Sequence, residues 1–375
     1  MPTSGASFLA HHGNHDQAVF PDLLERIKVD NPQWRIGAAV PIPRYVPETS
    51  RRIVERLRAR ADYVIADPET HRLQLPYDVR GAGRGGYEYL QESDPIANRG
   101  RFVSAVMSAQ RATGPSRIVT PWLVHGSSPI DRHLRTTLRF ARAGHADAAA
   151  NGESSLIGIA ATATIIADTF MRDDLLDEIV ELPGDAIYFR MLVTAPESFT
   201  QYRERDVLLG LREFVTALAA NGKPTLLAQV GLCGWPFLAF GSLGFGSGIK
   251  GTSQKFAFSS GWGQPLEWYF LPGFLGFVLR DELQLLAAIP GFEPCSCPYC
   301  PDLLRDVRAV WDKNSAGAHY LWWCTKLANE AADAASIRAR LSAAQAFLSQ
   351  VQSAGAVLDP RSIPRHLEVW TEVVS

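Results

Sequence analysis

The sequence predicts an α/β chain folded as a (β/α)8 TIM-type barrel with a C-terminal zinc-binding helical subdomain. Two observations carry the barrel. Apolar runs of strand length alternate with helical patterns from Ser7 to about residue 260, which argues for parallel strands joined by right-handed crossovers. About seven or eight such strands are enough to close a barrel rather than leave an open sheet. A third observation sets the C-terminal part. Glu293-Pro-Cys-Ser-Cys-Pro-Tyr-Cys300 places three of the chain's five cysteines within six residues, and His319 follows Cys300 nineteen residues later. The expected division is residues 1–290 for the barrel and 291–375 for the zinc-binding helical part packed on it.

In order, the first strand spans residues 7–10 and runs into His11-His12-Gly-Asn-His15, whose Gly and Asn mark a loop of polar histidines. Residues 34–40 form the second strand, closed by Pro41 and Pro43. Over 49–61, Ile53, Val54 and Leu57 make an apolar helical stripe, with arginines at 51, 52, 56, 58 and 60 toward solvent. The short strand 62–66 puts Asp67 at its C-terminal end. Gly81-Ala-Gly-Arg-Gly-Gly86 has the letters of a phosphate-binding G-x-G-x-x-G, but no strong strand leads into it and no helix starts on it. A plain loop is the better reading. A helix over 97–112 precedes a strand over 117–124 that leads to His125 and Gly126. The helix over 130–143 carries Arg132, Arg135, Arg139 and Arg142 on related faces.

The alternation continues with strand 155–160, helix 173–180, strand 186–193 and helix 205–220, which Asn221-Gly222 stops. Residues 223–230 are the next strand. From Gly241 to Gly251 the chain turns glycine-rich: either a late strand open to a ligand, or an anion-binding turn using Lys250, Thr252 and Ser253. Helices at about 320–335 and 336–354 and an extended tail complete the chain.

At 375 residues, 46% hydrophobic and 20% charged, the composition is that of an ordinary globular protein. A net charge of −2 gives no global case for binding nucleic acid or an anionic membrane, so either would need a local patch. No apolar stretch approaches the roughly 18 residues of a spanning helix. With no export signal in view, clustered thiols are expected to meet a metal in a reducing cytoplasm rather than to form disulfides. Zn²⁺ takes thiolate and imidazole ligands in a closed tetrahedron when its role is structural. Cys295, Cys297, Cys300 and His319 supply that set, with Pro294 and Pro298 stiffening the loop, while Cys324 reads as a small core residue. Strand ends offer Asp67, His125, Asp168 and Arg190 to a site, and Gln229 follows a strand within reach of a ligand. Each also suits a satisfied polar residue at the barrel rim.

Phe292-Glu-Pro-Cys-Ser-Cys-Pro-Tyr-Cys300, with His319-Tyr-Leu-Trp322 downstream, resembles the zinc subdomain of tRNA-guanine transglycosylases, most closely its archaeal form. A fainter likeness in element order covers about residues 60–335. The resemblance implies a (β/α)8 barrel with structural Zn²⁺ near its C-terminal end. It also implies base exchange, in which an aspartate attacks the anomeric carbon of a guanosine, guanine leaves and a 7-deazaguanine replaces it. A second aspartate, at the end of an early strand, helps to bind the base and move protons. Asp67, in Val64-Ile-Ala-Asp67, fits that second role by position, although Pro68-Glu-Thr-His-Arg72 stands where the family has a Ser-Gly-Ser-Phe-Gln-like run. The nucleophile's place falls on Gly246 in Leu243-Gly-Phe-Gly-Ser247, and glycine is no nucleophile. No other Asp lies between Asp206 and Asp281. The family's Gly-Gly base contact is not evident in Phe189-Arg-Met-Leu192, which leaves Arg190, His125 and Gln229 as substrate-binding candidates.

The chain is then expected to be one of three things. It is a transglycosylase-like protein acting on a (7-deaza)guanine base with altered catalytic residues, Asp67 among them. Or it is a non-catalytic barrel that binds the base or the nucleic acid, tRNA or DNA, as a homodimer or as the partner subunit of an active relative. Or it is an unrelated zinc-stapled barrel enzyme for a small molecule. Arginine faces at 51–60 or 132–142 would serve nucleic acid, and an apolar surface around Trp311, Trp322 and Trp323 would serve a partner subunit unless those rings are core.

Overall fold

A computed structural model describes residues 7–13, 19–75, 86–126, 132–193, 201–249, 254, 256, 268–300, 311–331 and 333–375. Nine parallel strands make eight barrel positions: β1 (Ser7–His11), β2 (Ile36–Pro41), β3 (Tyr63–Asp67), β4 (Arg117–Val119) with β5 (Val124–His125), β6 (Ser155–Thr162), β7 (Ile187–Leu192), β8 (Thr225–Leu227) and β9 (Gly244–Gly248). Strand β9 returns to β1, and β4 and β5 both lie along β6, which closes the ring. The expected barrel is the fold.

The single strand expected over 117–124 is two short pieces. Pro121 between them has no N–H to give a ladder. Side chains take over the backbone hydrogen bonds of this stretch instead, so none is stranded on burial. Gln110 brackets the N–H and C=O of Val119, Thr70 those of Trp122, and Gln74 those of Val124, all at 2.6–3.0 Å.

Helices α1 (Val19–Asp30), α2 (Pro47–Arg58), α3 (Arg99–Arg111), α4 (Arg132–Ala150), α5 (Ala163–Ala167), α6 (Thr169–Val180) and α7 (Arg205–Ala220) follow the strands. Alternation along each strand sorts side chains between two buried groups. Leu9, Ala39, Ile65, Trp122, Tyr188 and Leu226 fill the barrel interior, whereas Phe8, Ala38, Val64, Phe189 and Leu227 face the helices. Near the bottom of the barrel the Tyr63 ring occupies the space over Gly37, where any Cβ would stand 2.2 Å from it. Glycine is required there by close approach.

A hairpin, β10 (Trp268–Leu271) with β11 (Gly276–Leu279), and helices α8 (Leu283–Ala287), α9 (Lys313–Glu330), α10 (Ala334–Ser353) and α11 (His366–Val374) complete the described chain. Helix α9 starts earlier than expected because Asp312 caps it, its Oδ1 accepting from Asn314 N at 2.9 Å and Ser315 N at 2.7 Å. The tail is helical, not extended. Leu367, Trp370, Val373 and Val374 recur at helical spacing and bury one face, and Trp370 Nε1 donates to Tyr202 O at 2.9 Å. Trp311, Trp322 and Trp323 are buried in the same core, so they form no apolar docking surface. Asn329 of α9 clasps the backbone of Arg35, accepting from its N–H at 2.6 Å and donating to its C=O at 3.2 Å, which ties the C-terminal part to the entry of β2. Among the described residues, no helix is long and apolar enough to cross a membrane.

Candidate functional site

Two constellations stand out, one metal-ligating and one at the barrel mouth. Cys295, Cys297, Cys300 and His319 bring their ligand atoms within 4.8 Å of one another. His319 Nδ1 lies 3.1 Å from Cys297 Sγ and 3.6 Å from both Cys295 and Cys300 Sγ, and the Cys297 and Cys300 sulfurs are 3.3 Å apart. A tetrahedral ion with bonds of about 2.0–2.3 Å sets its ligand atoms roughly 3.5–3.8 Å apart, close to this spacing. The outer contacts also suit a metal. His319 Nε2 is 2.6 Å from Phe270 O, which can only accept, so Nε2 carries the proton and Nδ1 presents its lone pair to the cluster. Trp323 Nε1 donates to Cys295 Sγ at 3.1 Å, Cys297 N to Cys295 Sγ at 3.3 Å and Tyr299 N to Cys297 Sγ at 3.4 Å, as thiolate sulfurs require. These four residues could hold a metal ion. Cys324 is buried in α9 and outside the set, as expected of a core residue.

The second constellation lies at the C-terminal ends of the strands. Asp67, the last residue of β3, points inward and is fully buried. Its Oδ1 accepts from Glu69 N at 2.9 Å, and its Oδ2 accepts from Tyr188 OH at 2.7 Å and from Arg190 Nη2, an ion pair across the barrel. Arg190 also donates to Tyr188 OH at 3.2 Å, and its guanidinium lies over the rings of Phe256, Trp122 and Tyr188 at 5.3, 5.4 and 5.6 Å. His71 stacks on Trp122 at 4.7 Å and meets Phe256 edge-on at 4.8 Å. Behind Asp67, Glu69 is clasped by Arg44 at 2.6 Å and Arg72 at 2.8 Å. Burial pushes the Glu69 carboxyl up, but these two guanidiniums outweigh it and hold it well below its usual range.

Several buried polar atoms here have no hydrogen-bond partner among the described residues. They are Nε and Nη1 of Arg190, Nε1 of Trp122, and Nε2 of His11 and of His12. Arg190 sits in a near-apolar setting, yet its charge is kept by Asp67 and neighbouring groups. Burial, then the charges of Arg190 and Arg44, holds His11 well below pKa 6.5, so its imidazole is neutral at pH 7. His12 is brought down to about 4 by burial and then by Arg44. Tyr45 OH donates to Gly13 O at 3.0 Å, so His12 Nδ1, 2.8 Å from that hydroxyl, must be its donor. That leaves His12 Nε2 a bare acceptor. Two of the three described non-glycine residues with positive φ stand at this mouth, Glu69 (42°) and Gln229 (57°). Such backbone persists only where the surroundings enforce it.

The expected residues divide. Asp67 and Arg190 are brought together, and Gln229 is buried after β8 beside Gly246, which faces the interior. A side chain at 246 has no room, however: its Cβ would lie 2.7 Å from His11 Nε2 and 3.1 Å from Gln229 N. His11, expected in a polar loop, is the inward, buried last residue of β1 and fills that space. His125 departs from expectation. Val124 faces the interior, so the next residue, His125, points to the helical layer and away from Arg190. Asp168 is exposed and caps α6, accepting from Met171 N at 2.9 Å, which accounts for it structurally. The loop 81–85, His15, Lys250, Thr252 and Ser253 lie outside the described residues. Sequence reasoning missed His71, Trp122 and Tyr188, whose inward alternation on or near strands was the available signal. No protein-family model matches the chain, and no curated protein matches it.

Proposed function

We propose that this chain recognises a guanine-type base at the C-terminal mouth of its barrel, and that Cys295, Cys297, Cys300 and His319 hold a structural Zn²⁺ that fixes the C-terminal part. The observation that carries the reading is Arg190, locked by Asp67 and Tyr188, with its Nε and Nη1 nitrogens buried and without a hydrogen-bond partner among the described residues. Buried donors without partners cost free energy unless a ligand meets them. The edge of guanine offers the acceptors O6 and N7 to such donors, and aromatic rings offer it a stacking face. Trp122 and Phe256 are the rings beside those donors. The resemblance of the thiol loop to the transglycosylases selects guanine among acceptor-bearing ligands.

Base exchange of the family's kind is not part of the proposal. Position 246 has no side chain and no space for one, and both carboxylate oxygens of Asp67 are already engaged by Glu69, Tyr188 and Arg190. Three donors on Asp67, one of them a guanidinium, draw charge from its carboxylate and weaken it as a nucleophile. The test pairs calorimetric titration with guanine and 7-deazaguanine against incorporation of radiolabelled base into tRNA and DNA. Expected are saturable binding that Arg190→Met abolishes, no incorporation by the protein alone, and about one zinc per chain by elemental analysis. Incorporation by the protein alone would overturn the non-catalytic reading. Absence of binding to both bases would overturn the recognition itself.

A further inference from the structure

The arginines of α2 and α4 look alike in sequence and differ in what surrounds them. On α2, Arg51 pairs with Glu48 at 2.9 Å and Glu55 at 3.1 Å, Arg52 with Glu48 and Arg56 with Asp22 at 2.9 Å. Arg58 donates to Gly114 O, and Arg60, just beyond the helix, pairs with Glu25. All of these arginines but Arg58 are met by a carboxylate. On α4, Arg132, Arg135, Arg139 and Arg142 are all exposed, and none has a carboxylate partner among the described residues. At 100° per residue the four fall within an arc of about 80°, along about 15 Å of helix. The acidic residue of α4, Asp147, is taken up by Arg111 of α3. Helix α3, which meets α4 through Phe102 and Phe140 at 4.9 Å, adds the exposed Arg101, also without an ion pair among the described residues.

We infer that this strip of α4 is a docking surface for the phosphate backbone of a nucleic acid. In a chain of net charge −2, four unneutralised cations in line are a concentrated field, and Arg suits phosphate through its forked donors. An anionic membrane fits less well. Helices that lie on bilayers carry large apolar side chains toward the lipid, and no exposed large apolar residue belongs to α4. Its apolar residues, Leu134, Leu138, Phe140 and Ala141, are buried against the fold. Because α4 follows β5, Arg132 stands at the mouth end of the barrel, and the strip leads from there down the outside. The inference does not depend on which ligand enters the mouth.

The experiment measures binding of a labelled single-stranded oligonucleotide of mixed sequence across a salt series. Four proteins are compared: the full chain, the variant R132Q/R135Q/R139Q/R142Q, its all-lysine counterpart, and R52Q/R56Q on α2. Each phosphate contact contributes roughly 0.7 to the slope of log K against log salt for single strands, so the four-glutamine variant should lose about 3 from the slope. The lysine variant and the α2 variant should keep it. An unchanged slope in the four-glutamine variant, equal loss in the α2 variant, or no oligonucleotide binding by the full chain would each overturn the inference. So would binding to phosphatidylserine vesicles in place of the oligonucleotide. Titration of free guanine into the same variants is expected to be unchanged, which separates failure here from failure of the proposed base recognition.

Discussion

Gly246 and His11 show how one residue's absence is another's space. A Cβ at 246 would meet His11 Nε2 at 2.7 Å and Cδ2 at 2.9 Å, closer than side-chain carbons approach anything. Gly246→Ala should therefore destabilise the fold by about 1–3 kcal/mol, the usual cost of overpacking. In a His11→Ala background most of that cost should vanish, because the ring that resists the methyl is gone. Urea unfolding of the two single variants and the double gives the coupling directly. Equal costs in both backgrounds would show that Gln229, and not His11, limits the space. At this scale the sequence marked Asp67, Arg190 and Gln229 by their places at strand ends. It could not mark Asp67 and Arg190 as partners, since 123 residues separate them and only barrel closure brings them together. His11 was misplaced for a local reason: the Gly and Asn after it signal a loop, but β1 runs one residue further than the apolar run does.

Among the elements, α9 does the most joining. His319 faces the thiols, while its neighbour Tyr320 places its hydroxyl 3.0 Å from Ser247 on β9. Trp235 Nε1 reaches Leu327 O at 3.1 Å from the barrel side. Removing a metal ligand should therefore be felt beyond the loop. Cys297→Ser is expected to release the ion and lower the thermal midpoint, because a closed site contributes its binding free energy to folding. Elemental analysis beside a melting curve checks this, and a lost ion with an unchanged midpoint would contradict it. The thiol loop was legible because three cysteines in six residues, with an imidazole to follow, form a compact ligand set. The C-terminal helix was not, since its apolar positions follow the prolines and glycine of a loop-like stretch, and burial against Tyr202 decides its form.

For the whole molecule, the histidines set the response to acid. His12 is held at about 4 and His366 at about 3, both chiefly by burial, and His11 and His71 are also well below 6.5. Unfolding lets each take up a proton that the folded protein refuses. Their stabilisation is therefore complete above pH of about 6.5 and drains away as pH falls toward 4. His12 alone accounts for about 3 kcal/mol over that window. Unfolding free energies measured from pH 7 to 4 should fall steadily, and His12→Gln should flatten part of the slope; a flat profile in the parent chain would mean that these rings are protonated in the folded state. Strand and helix rhythm made the barrel legible from the sequence, whereas the split at Pro121 was hidden because its hydrogen bonds come from Gln110, Thr70 and Gln74, distant in pattern from the strand they complete. Closure of the ring through β4, β5 and β6 has a consequence for association. A closed barrel leaves no strand edge whose backbone another chain could extend, so a partner of the barrel has to read side chains on its helices or at its mouth.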